Sequence, residues 1–191
     1  EDAELNYSAE VLKSWSYFIS GVAHGYIGLV FDQGDIVDFD PENDTLELLP
    51  WSEMISKSRE FLDKSIAIAN ENSFTIPGEW MGGESYTNVA FSQLANSFAA
   101  RILAYSSRNK AHNEKLDWNK ILEYTKNGIQ RPLAPVLGNA YGFFDIYWVY
   151  GRYRGWSRID HRIINLMDSD YPSRWPQDGV SWTTPLGEDQ G

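Results

Sequence analysis

The sequence predicts a mostly α-helical fold: antiparallel helix pairs followed by an irregular, loop-rich C-terminal part. Three observations carry this. Four segments between residues 8 and 130 repeat apolar residues at three- and four-residue spacing, the period of one helix face. Start and stop residues bound them: Ser52 after Pro50, Asp117 before Trp118, then Gly128 and Pro132. After Arg131 the period is lost, in "RPLAPVLGNAYGFFDIYWVYGRYRGW", which is rich in Pro, Gly and aromatics.

The first helix lies in "YFISGVAHGYIGLVF" and the residues before it. Val11, Trp15, Phe18, Val22, Tyr26 and Leu29 form its apolar face, widened by Leu12, Ile19 and Val30. The uncharged run is shorter than the ~20 residues a bilayer span needs. His24, Asp32 and Asp35 make a span worse, so a buried core helix ending near Gly34 is expected. Gly21, Gly25 and Gly28 each cost about 1 kcal/mol against Ala in a helix, so their clustering implies a closely packed neighbour.

The second helix covers 52–71, with Ser52 as N-cap and Ile55, Leu62 and Ala69 at heptad spacing beside Met54, Phe61 and Ile68. "ENSFTIPGEWMGGES" interrupts it. The third runs from about Thr87 to Ser106 on Phe91, Leu94, Phe98, Ile102 and Tyr105, thinned by Ala95, Ala99 and Ala100. The polar loop "SRNKAHNEKL" follows. Asp117 then caps a fourth helix with Trp118, Ile121, Leu122, Thr125 and Ile129 on one face. A last short helix is expected over Arg158 to Met167. The organisation is one domain over 1–191, with a helical scaffold at 8–130 and a loop-rich aromatic region at 131–191. Helices thin on one face and bulky on the other are similar to tetratricopeptide stacking. Of the two positions seven apart that are small in that repeat, Ile121 and Gly128 here, only one is small.

Composition bounds the function. Hydrophobic residues make up 42% and charged residues 23%, which is ordinary globular usage. A net charge of -11 repels phosphates and sets nucleic acid aside. There is no cysteine, which removes disulfides, thiol catalysis and cysteine metal sites. "EDAELNYSAE" is not a signal peptide.

No HExxH, GxSxG or phosphate loop occurs, and His24, His112 and His161 are scattered. His24 reads as a hydrogen-bonded core histidine. Asp38, Asp40, Glu42 and Asp44 alternate like cation ligands but lack the Gly and Glu of a calcium loop, so they read as a solvated loop. The expectation is a binder without catalysis, cofactor or metal. Loop aromatics beside polar groups are what a sugar ring and its hydroxyls require. Trp80 with Glu79, Tyr86 and Asn88 fits, as do Tyr147, Trp148 and Trp156 near Arg152 and Arg154. The competing reading is that these rings cap the helical core. Trp15 and Trp118, inside apolar stripes, are assigned to that core.

"WSYFISGVAHGYIGLVFDQGDIVD", "LPWSEMISKSREFLDKSIAIA", "LANSFAARILAYSSRN", "LDWNKILEYTKNGI" and "RGWSRIDHRIINLMDSDYP" occur in an order that resembles the SusD/RagB family. The resemblance covers roughly residues 8–175 and rests on that order rather than on one motif. It implies a lipid-anchored protein on the surface of the bacterial outer membrane. Such a protein captures a glycan or other nutrient for a SusC-like TonB-dependent transporter. Family members are longer and carry the lipid on an N-terminal cysteine. The chain is therefore expected to be the scaffold portion, with the anchor absent from it. The alternatives are a tetratricopeptide-like protein-interaction scaffold and a glycoside hydrolase, which needs two carboxylates across the scissile bond.

Overall fold

The computed structural model describes residues 7–37, 47–136 and 161–170. The chain divides into two compact units, Glu1–Val136 and Leu137–Gly191. The fold is mostly α. The first unit holds α1 (Ala9–Val30), α2 (Trp51–Glu71), α3 (Asn88–Tyr105), the single turn α4 (Lys110–Asn113) and α5 (Trp118–Lys126). In the second unit the described residues form α6 (His161–Met167), inside the expected span of Arg158 to Met167, and the turn after it.

Two short antiparallel ladders connect the long helices. β1 (Gln33–Gly34) pairs with β2 (Leu49–Pro50), and β3 (Thr75–Ile76) pairs with β4 (Tyr86–Thr87). Each ladder joins the end of one helix to the start of the next. The first backbone N–H of the incoming helix donates across it: Trp51 to the Asp32 carbonyl and Asn88 to the Phe74 carbonyl, both at 2.9 Å. This explains a shifted boundary. α2 begins at Trp51 with Pro50 in the cap position and no side-chain cap, whereas Ser52 was expected there. Pro50 has no N–H to lose, and its extended backbone leads straight from the ladder into the helix.

α1 and α2 are antiparallel, since their contacts run in opposite order along the two chains. Ser14 meets Ser65, Gly21 meets Ser58 and Leu62, and Gly28 meets Ile55. Ser14 Oγ donates to the Ser65 carbonyl at 3.1 Å, and Ser65 Oγ returns a bond to the Ser14 carbonyl at 2.8 Å. Ser58 Oγ donates to the Gly21 carbonyl at 2.5 Å. Side chain to backbone bonds of this kind need backbones that nearly touch, and they satisfy hydroxyls that would otherwise be buried unpaired. A Cβ on Gly21 would lie 2.7 Å from Leu62 Cγ.

The buried face of α1 is accordingly Val11, Ser14, Phe18, Gly21, His24, Gly25 and Gly28. It is turned from the face that apolarity alone marks out. Leu12 (46% exposed), Ile19, Tyr26 and Val30 (70%) face outward. The helix stops at Val30, short of the expected Gly34, because Gly34 belongs to β1. No basic residue lies in its last turn. Arg108, beyond α3, donates instead to the Gly28 and Phe31 carbonyls and pairs with Asp32. A cation there complements the negative end of the helix dipole.

α2 packs against α1 on one side and α3 on the other, and α3 packs against α5. Phe61, Phe91, Met54, Leu62, Ile76, Leu94 and Ile102 are fully buried. The heptad Ile55, Leu62 and Ala69 is buried as its spacing requires, whereas Tyr105 points outward. On α5 the expected face is corrected. Trp118 is 45% exposed, with its indole N–H donated to the Asn113 carbonyl, and Leu122 and Ile129 also face out. The buried pair is Ile121 and Tyr124. Tyr124 fixes the rotation, because its hydroxyl donates to Asp63 on α2 at 2.5 Å. Among the described residues no helix is long and apolar enough to cross a membrane.

Candidate functional site

The turn carrying Trp80 is built by its prolines and glycines. Pro77 precedes a 3-10 turn at Gly78–Trp80, and the chain reverses through Gly82 and Gly83 at φ +72° and +102°. Only glycine adopts such values without strain. The Val136 N–H closes on the Gly82 carbonyl at 2.7 Å, so the turn is tied down.

Sequence reasoning lifts the Trp80 ring into solvent. The structure does not. The indole is half-buried against the core, 4.7 Å from the Tyr7 ring in T-shaped contact and 5.6 Å from Trp15. Tyr86 is buried, its hydroxyl donating to Glu84 at 3.4 Å and the Arg131 guanidinium lying 5.2 Å from its ring. Burial, with the Glu84 carboxylate beside it, holds its phenol above the usual range. Asn88 donates to the Ala69 carbonyl at 2.9 Å, joining the start of α3 to the last turns of α2. All three take part in the packing of the fold, Tyr86 buried and Trp80 and Asn88 half-buried. Trp80→Ala is therefore expected to lower stability by about 2 kcal/mol, less than the ~3–5 kcal/mol of a fully buried aromatic. Urea unfolding with an unchanged midpoint would contradict that packing role. Tyr147, Trp148 and Trp156 lie outside the described residues, as does the acidic loop Asp38, Asp40, Glu42 and Asp44.

His24 is a core histidine with both nitrogens used. It is 5% exposed, Nε2 accepts from the Val37 N–H at 3.2 Å, and Nδ1 donates to the Ser20 carbonyl at 2.6 Å. Those partners set the tautomer and tie the chain after β1 back onto α1.

Two of the grooves among the described residues bear on function. One, of about 370 Å³, runs between α2, α3 and α5 and is lined by amides, hydroxyls and charges. Asn70 Oδ1 accepts from Ser92 Oγ, and Asn96 Nδ2 donates to the Ser92 carbonyl, both at 2.8 Å. Asn70 is exposed here, whereas Asn96 is buried. Gln93 and Asn127 make no side-chain hydrogen bond among the described residues. Tyr124 is held neutral at the floor: burial first, then its bond to Asp63, pushes its phenol far above the ordinary value. The sequence signal for this wall is polar spacing, Asp63 to Asn70, Ser92 to Asn96 and Glu123 to Asn127. Such spacing is easily read as a solvated helix face.

The other groove, of about 380 Å³, lies where the start of α2, the end of α3 and α4–α5 meet. Trp51, Ile55, Leu103, Leu116 and Ile121 make its apolar wall. Trp51 is held by the Arg108 guanidinium 4.7 Å from its ring and by the His112 ring at 5.4 Å. Arg59, Lys115 and Lys120 also line it. Among the described residues, no group of three or more His, Asp or Glu comes together in metal-binding fashion. No family model, curated protein or solved structure matches the chain.

Proposed function

We propose that this chain is the helical scaffold portion of a non-catalytic capture protein of the SusD/RagB kind. It would hold a glycan or other nutrient at the bacterial outer-membrane surface for a SusC-like TonB-dependent transporter. Membrane attachment would come from a lipid outside this chain. The observation that carries the reading is the ordered set of segments that resembles that family. They fall in turn on α1, α2, α3, α5 and α6. The antiparallel α1–α2 pair, with its small-residue contact, supports tetratricopeptide-like pairing.

The amide-lined groove between α2, α3 and α5 adds a chemical reason. Neutral hydroxyls want donors and acceptors in alternation, which Asn70, Gln93, Asn96 and Asn127 offer. Each such bond is worth about 0.5–1.5 kcal/mol, so several are needed for useful affinity. A glycan array probed with the labelled protein tests the reading, together with co-purification of a SusC-like transporter. Binding of a neutral oligosaccharide is expected, weakened roughly 5- to 10-fold or more in Gln93→Ala/Asn127→Ala. Steady release of reducing ends, abolished by one carboxylate substitution, would move the protein to the hydrolases. Binding of peptides but no glycan would make it an interaction scaffold.

A further inference from the structure

We infer that the groove walled by Trp51 is a binding site for a small anion with an apolar body, a carboxylate on an aromatic or acyl group. Three features converge on it. Its size, about 380 Å³, lies in the range of small-molecule sites. Its wall is apolar and held in place, since Trp51 is braced by Arg108 and His112 while Ile55 and Ile121 are buried parts of the core. Its charge is unexpected for this chain.

Acidic residues outnumber basic ones 27 to 16. Even so, Arg59 and Lys115, both on this groove, take part in no ion pair among the described residues. The other charged groups facing it are committed. Lys120 pairs with Glu123 at 3.2 Å and lies 4.6 Å from the Tyr124 ring. Asp117, the one carboxylate lining the groove among the described residues, accepts the Lys120 N–H as the cap of α5. Two cations without an ion pair among the described residues, Arg59 also acting on the Tyr124 phenol, stand beside an apolar wall and complement a ligand with one anionic end. Arg59 offers a forked donor pair for a carboxylate, and Lys115 a mobile point charge. The site shares Lys120 with the amide-lined groove but does not depend on glycan capture.

The test is calorimetric titration of the protein with 2-naphthoate and, in parallel, with its uncharged isostere 2-naphthamide. Naphthoate is expected to bind with a dissociation constant on the order of 0.1 mM, as suits a ligand of this size. Naphthamide should bind at least about tenfold more weakly, the factor that one charge-assisted hydrogen bond supplies. Arg59→Gln/Lys115→Gln should erase that preference while melting with the parent, because both side chains are exposed. The inference fails if naphthamide binds as tightly as naphthoate. It also fails if the double variant keeps the preference, or if no heat is seen with naphthoate up to millimolar concentration.

Discussion

Gly25→Leu is expected to melt roughly 10 °C or more below the parent, or not to fold. A Cβ at this position would lie 2.5 Å from Ile102 Cδ1 and 2.7 Å from Ser58 Oγ, closer than real contacts allow. The leucine then adds three further carbons where α1, α2 and α3 converge. Overpacking alone costs about 1–3 kcal/mol. Here it also threatens the buried bond from Ser58 to the Gly21 carbonyl, and a hydroxyl left without a partner adds about 1–3 kcal/mol. Together these come to about 2–6 kcal/mol, at about 2–4 °C per kcal/mol in a chain of this size. Circular dichroism melts at 222 nm measure it. Ala23→Leu, on the exposed side of the same helix, is the control and should melt with the parent. Equal melting of both variants would mean that α1 does not pack on its glycine row.

Phe91→Ala should cost about 3–5 kcal/mol, the usual loss for a fully buried phenylalanine. The ring is 0% exposed and sits at the centre of an aromatic cluster. Phe18 lies 5.1 Å away edge-on and Trp15 5.9 Å away, with Trp80 against Trp15 and Phe98 against Phe18. Its removal leaves a cavity that rings held from two helices, α1 and α3, and a tied turn cannot close. Urea unfolding followed by tryptophan emission reads both the midpoint and the change around Trp15 and Trp80. A loss below about 1 kcal/mol would show that the cluster collapses into the space, in place of the rigid packing described.

Helix identity was legible because it is local. The heptad Ile55, Leu62 and Ala69, the cap Asp117 and the thin glycine row of α1 each state a preference that no distant residue is needed to express. The mostly α class follows from those preferences, and so does the closeness of some neighbour to Gly21, Gly25 and Gly28. Which face turns inward was decided only in three dimensions. α1 buries its glycines and leaves Leu12, Ile19, Tyr26 and Val30 outside, since backbone approach by α2 gives reciprocal serine bonds that bulky side chains would prevent. α5 buries Tyr124 rather than Trp118 because Asp63, 61 residues earlier, takes its hydroxyl. Trp80 is half-buried because Tyr7 and Trp15 lie where the turn delivers it. The two grooves arise the same way, from residues of different helices that no sequence window contains together. Periodicity along one chain determines that a helix forms; the partner it meets, chosen by packing and by distant hydrogen bonds, determines what that helix presents.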